Sequence, residues 1–159
     1  MQPMRNNSSA DVTAESIDLL KRHLIAASDL HVQIKQAHWN LKNLSVDPLN
    51  KMFGKVAAEV AFLTNRIEEH AVEFGIANNP CNETSARRIF LVPYPRGISE
   101  AQQYVFAIYG ALAAFSQSMR HASGQALDCG DPKTASLFAE ISSAVDGQAR
   151  FVESHLASR

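Results

Sequence analysis

Hydrophobic residues recur along this chain at helical spacing, and no segment alternates in the manner of a strand. From about Thr13 to Lys42, Ile17, Leu20, Leu24, Ala27, His31, Ile34, His38 and Leu41 are separated by 3, 4, 3, 4, 3, 4 and 3 residues. That period predicts one inward face of a helix, and two of its eight places are histidines. Asp11 or Thr13 can cap the helix, and Glu15 suits its first turn. A second helix is predicted from about Leu49 to Phe74, with Gly75 as its stop. Phe53, Val56, Val60, Leu63, Ile67 and Phe74 form its core stripe. Beside that stripe runs another line, Phe62, Asn65, Glu69 and Val72. Two such faces fit a helix buried on two sides of its own bundle, and equally a helix that also packs against another chain.

A third helix is predicted from about Ser99 to Leu127, with Tyr104, Ile108, Leu112, Phe115, Met119 and Ala122 facing inward. Gly130 closes the next turn, and Asp131-Pro132 supplies a cap and a first-position proline for a fourth helix. Its expected stripe is Leu137, Ile141, Ala144, Gln148, Phe151 and His155. Asn43–Pro48 is a short link. Residues 75–98, with Pro80, Pro93 and Pro95, form a long one, with one helical turn expected near Thr84–Ile89. A connection of that length inside a compact domain needs a topological job, and crossing from one end of a bundle to the other is such a job. The pattern describes an all-α, ferritin-like four-helix bundle with a long crossover between the second and third helices. Residues 1–10 read as a flexible polar tail, and residues 11–159 as the bundle domain.

Bulk composition narrows the functional classes. The 159 residues suit one domain. Fifteen basic against sixteen acidic residues argue against a dedicated nucleic-acid binder. The tail contributes only Arg5 and the far end only Arg159, too few basic contacts for strong DNA binding. Arg87, Arg88, Arg120 and His121 read as solvated surface. Cys81 and Cys129 form no CxxC pair, so two thiols and one disulfide both remain open. No apolar run approaches membrane-span length and the first residues do not resemble a secretory signal, so a cytoplasmic location is expected.

Specific segments then narrow the reading further. Lys35–Asn40 reads KQAHWN, EFG closes the second helix, and the fourth helix contains GDPKTASLF and FVESHL. Together these resemble the Dps family, the dodecameric mini-ferritins, over nearly the whole chain from Ile17 to Leu156. The resemblance implies a hollow homo-oligomeric shell that stores iron and protects against oxidative stress. It also implies a ferroxidase centre shared by two chains across a two-fold interface. In the family one chain gives the HWN histidine, then a histidine and an aspartate from an LHxxFD-like stretch, and the other gives an aspartate and a glutamate four apart. His38 matches the HWN histidine. The LHxxFD stretch here is LNKMFG, which puts Asn50 at the histidine position and Gly54 at the aspartate position. The acidic pair becomes Asn65 and Glu69. His38 and Glu69 are therefore the retained metal ligands, and three of five ligand positions are replaced.

Iron favours imidazole and carboxylate donors, so ferroxidase activity is expected to be weak or altered, and zinc is another divalent candidate. His31 and Asp47 are candidate compensating ligands, although His31 also reads as a core or interface histidine. A helical separation of seven places it ~10.5 Å from His38 along the axis, too far for one ion. Glu59, His70 and Glu73 also lie on the second helix, with His70 and Glu73 reading as surface or interface residues. Trp39 is expected to pack beside the centre or to be core or interface bulk. In the family, acids at the start of the fourth helix line an iron entry pore. Asp131 matches one of them, Ser136 replaces another, and Lys133 opposes the charge. Alternatives to an iron-storing shell are a non-catalytic shell or partner protein and a DNA-associating protein without ferroxidase activity.

Overall fold

A computed structural model describes residues 9–42, 47–76 and 101–156. The described residues form four helices: α1 Ser9–Lys42, α2 Asp47–Val72, α3 Ala101–Asp128 and α4 Pro132–Glu153. The expected helical turn near Thr84–Ile89, Ser99, Cys81, Arg5, Arg87, Arg88 and Arg159 lie outside the described residues. Helix α1 begins at Ser9, ahead of the expected cap. Nothing between Ser9 and Thr13 breaks a helix, so the first turn extends into what reads as tail.

The helix ends follow local chemistry. Gly75 and Gly130 have φ of 79° and 97°, a left-handed conformation that glycine adopts without steric penalty. After α2, the Ile76 N–H donates to the Ala71 carbonyl and the Gly75 N–H to that of Val72. After α3, Asp131 and Gly130 donate in the same way to Ala126 and Leu127. Both ends are Schellman closures, which satisfy carbonyls that the helix leaves open. Helix α2 accordingly stops at Val72, and Glu73 to Gly75 form its closing turn.

Around the bundle, α1 packs on α2, α2 on α4, α4 on α3 and α3 on α1. Ser16 meets Asp131, His23 meets Ser118, Arg66 meets Glu140 and His70 meets Thr134. These pairings run in opposite sequence directions, so α1 and α3 are antiparallel, as are α2 and α4. Helix α2 therefore ends where α3 also ends, and the chain between Ile76 and Ala101 links opposite ends of the bundle. At 1.5 Å per residue that is a span of about 40 Å, which is the reason for the long crossover.

Apart from His31 and His38, which are only half-buried, the expected stripes of α1, α2 and α3 face the core, where Leu20, Leu24, Ile34, Phe53, Val56, Ile67, Ile108, Phe115 and Met119 are buried. In α4 the expected stripe drifts off the core after Ile141. The buried line runs through Val145, Ala149 and Val152, and Ala144, Gln148, Phe151 and His155 are only half-buried. The two lines are adjacent on the helix, and small residues populate both, so spacing alone does not separate them.

Candidate metal centre

Histidine 38 is half-buried on α1 and faces α2. A Cβ placed on Gly54 would lie 3.5 Å from His38 Cε1 and 3.8 Å from its Nε2, with no other described neighbour inside 4 Å. The HWN histidine and the position matched to a family aspartate are thus in contact within one chain. One turn earlier on the same face of α2 is Asn50, whose Oδ1 is buried and has no hydrogen-bond partner within the chain. An unmet buried acceptor costs about 1–3 kcal/mol. The fold brings His38 and Gly54 together, with Asn50 one turn away on α2, and none of the three carries a negative charge.

The other two positions lie elsewhere. Asn65 and Glu69 are both exposed on the outer face of α2, where Asn65 Nδ2 donates to Glu69 Oε2 at 3.4 Å. The flanking residues on that line, Phe62 and Val72, are exposed too. The second face of α2 is therefore not buried inside its own bundle, and that alternative falls away. Helix α1 continues the uncovered surface with Val32 and Trp39. Trp39 is 69 % exposed and Phe62 58 %, high values for the largest apolar side chains of a helical bundle.

His31 lies in the middle of this surface. It lines one shallow groove with Lys35, Gln36, Trp39 and Asn40, and a second with Ser28, Phe62, Asn65 and Glu68. Partial burial lowers its pKa below 6.5, and nearby Lys35 adds to the effect. Its neutral imidazole is the form that ligates a metal. Asp47 opens α2, and its side chain lies outside the described set. Among the described residues, no three His, Cys, Asp or Glu side chains converge on one point. A single chain carries two separate parts of the expected centre.

Within its own chain Asp131 is a helix cap. It is buried and caps α4, accepting from the Thr134 N–H at 3.0 Å and the Thr134 hydroxyl at 2.6 Å. The Ser16 hydroxyl donates to the same carboxylate. Burial alone would raise its pKa, but the Ser16 and Thr134 donors, with His70 nearby, outweigh that and hold it below 3.8. Since the Thr134 hydroxyl proton goes to Asp131, His70 Nε2 must donate to Thr134 Oγ1, at 2.8 Å. His70, read from sequence as a surface or interface residue, is thus half-buried and tied to α4 within its own chain. Ser136 and Lys133 are exposed.

One histidine was not singled out by the sequence pattern. His23 is buried, its ring 5.4 Å from Phe138, with Nδ1 donating to the Leu19 carbonyl at 2.9 Å and Nε2 3.1 Å from Ser118 Oγ. Burial pushes its pKa below 6.5. Its position three after Leu20 and four before Ala27 was the available signal. Cys129 is a free thiol whose pKa burial raises, helped by Glu15 and Asp131.

The comparison with known proteins agrees with this architecture. The family model described as Ferritin-like domain matches residues 17–158. DNA protection during starvation protein of Agrobacterium fabrum is 24% identical over 152 residues, which cover 96% of this chain and 94% of that protein. Among solved structures, DpsC from Streptomyces coelicolor superposes with a TM-score of 0.83 at 22% identity, over 100% of this chain and 92% of that one. A Dps1 mutant from Mycobacterium smegmatis gives 0.82 at 18%, over 94% of this chain and 100% of that one. The chain belongs to the ferritin family. Within that family it is a Dps-like mini-ferritin, built on the bundle that the solved Dps structures share.

Proposed function

We propose that this chain binds and stores iron as a Dps-type mini-ferritin, protecting against oxidative stress, with weak or altered ferroxidase activity. Iron is its cargo. The protomers assemble into a homo-oligomeric shell, a dodecamer as in the family, through the outer face of α1 and α2. The observation that carries this reading is the uncovered apolar face holding Val32, Trp39 and Phe62 together with Asn65 and Glu69. A second copy laid on that face would bury the apolar residues. It would also set Glu69 of one protomer toward His38 of the other, completing a site that neither chain contains alone. No described helix is long and apolar enough to cross a membrane, and the near-zero net charge makes DNA a weak partner.

Anaerobic titration of the purified assembly with Fe²⁺ and with Zn²⁺ tests this, with His38→Ala and Glu69→Ala alongside. Saturable binding lost in both variants is expected. An intact assembly that binds neither ion would contradict iron storage at this site. It would favour the second reading, a shell without a metal centre, which the absence of a carboxylate at Gly54 beside His38 supports.

A further inference from the structure

Of the four helix–helix contacts around the bundle, that between α2 and α4 is the sparsest. Two polar ties cross it. The Arg66–Glu140 ion pair is exposed, and the bond from His70 to Thr134 lies deeper. His70 Nε2 donates to Thr134 Oγ1 at 2.8 Å, and the Thr134 hydroxyl donates to Asp131 at 2.6 Å. Asp131 accepts as well from the Thr134 N–H and from Ser16 of α1. One side chain of α2 is thus fastened to the cap of α4 and, through it, to α1. This tie is in the last turn of α2, which ends at Val72. Terminal turns fray unless something holds them. The same turn carries Glu69 and Val72, both exposed on the outer face. Consecutive residues of a helix point about 100° apart. Holding His70 against α4 therefore fixes the rotation of the turn, and with it the direction of Glu69.

We propose that His70 is a positioning residue, which through Thr134 and Asp131 locks the last turn of α2 and sets the angle at which Glu69 meets a second copy. This rests on the reading of Glu69 as a ligand completed across the interface, and deepens it by naming what holds that carboxylate in place. His70 itself stays on the bundle side of α2 and takes no part in binding the ion. What the role demands of it is one N–H donor aimed at Thr134.

The test uses Zn²⁺ on the full-length assembled protein, titrated against a chromophoric chelator, with amide hydrogen exchange alongside. His70→Phe keeps a ring against Phe74 but removes the donor, and His70→Gln keeps an N–H donor. His70→Phe is expected to weaken Zn²⁺ binding about three- to tenfold, the share of one hydrogen bond, with stoichiometry and sedimentation unchanged. The amides of Gly75 and Ile76, which close the turn, are expected to exchange faster by a similar factor. His70→Gln is expected to restore both, which a role in packing alone would not produce. Wild-type affinity or wild-type amide protection in His70→Phe would overturn the inference, and so would a folded His70→Gln assembly that rescues neither. A wild-type assembly that takes up no Zn²⁺ would instead overturn the ligand reading of Glu69, and the positioning role with it. Circular dichroism separates each result from misfolding.

Discussion

The two ends of the chemistry in this molecule contrast sharply. Where α1, α2 and α4 meet, the polar groups of Ser16, Asp131, Thr134 and His70 satisfy one another inside a single chain. On the outer side of α1 and α2, large apolar groups face solvent. The first region is finished on folding. The second makes sense only with something else laid against it. A buried polar group that is fully paired within the chain belongs to stability, and an uncovered apolar face belongs to assembly and binding.

Breaking the finished region should give the largest effect. Asp131→Ala removes the α4 cap and leaves the Ser16 and Thr134 hydroxyls without their acceptor. Cap loss and unmet buried groups together are expected to cost about 2–4 kcal/mol, read as a lower urea midpoint at unchanged slope. If the midpoint does not move, the closed network is not what holds this end of the bundle together.

The open face should respond in the opposite way. Phe62→Lys is expected to leave the stability of the individual chain within about 0.5 kcal/mol, because surface changes rarely do more. The same change is expected to dissolve the oligomer in sedimentation velocity, since it places a charge where a second copy would dock. Loss of helical signal together with assembly would show that Phe62 serves the fold instead.

Acid should separate the regions further. His23 has a pKa below 6.5 in the folded state because burial disfavours its charge. Unfolded chains therefore bind more protons, and the stability that His23 preserves above pH 6.5 is lost progressively as pH falls below that value. His31 contributes with the same sign. Asp131, held below 3.8, withdraws its contribution only at more acid pH, as it protonates through its depressed value. Chemical denaturation from pH 8 to pH 3 is expected to show a shallow loss beginning near 6.5 and a second below 3.8. His23→Gln is expected to reduce the first step, leaving the His31 part of it, and to leave the second unchanged. The smallest effect belongs to Arg66→Ala, which removes an exposed 2.8 Å ion pair with Glu140. It is expected to cost at most about 1 kcal/mol, and less at high salt.

How far the sequence speaks depends on whether the cause is local. The stops at Gly75 and Gly130 and the cap at Asp131-Pro132 are short-range chemistry, and each appears where its residues predict. The two faces of α2 are visible in the spacing as well, but which one the chain itself covers depends on where α1 and α4 pack. The α4 stripe drifted because Ala144 and Gln148 mimic a core line one step from the true one. The partnership of His23 with Ser118 and the contact of His38 with Gly54 join helices across the bundle. Spacing within one helix carries no signal for either. Asp131 was legible for the same reason as the glycine stops: a cap followed by a proline is local chemistry, and the structure shows that cap.

The most direct measurement is sedimentation velocity of the purified protein after anaerobic loading with Fe²⁺, with iron measured across the same boundary. Iron travelling with a particle many times the mass of one 17.4 kDa chain is the result predicted for a mini-ferritin assembled through α1 and α2. A monomer, or a large particle that leaves its iron behind, would contradict that account.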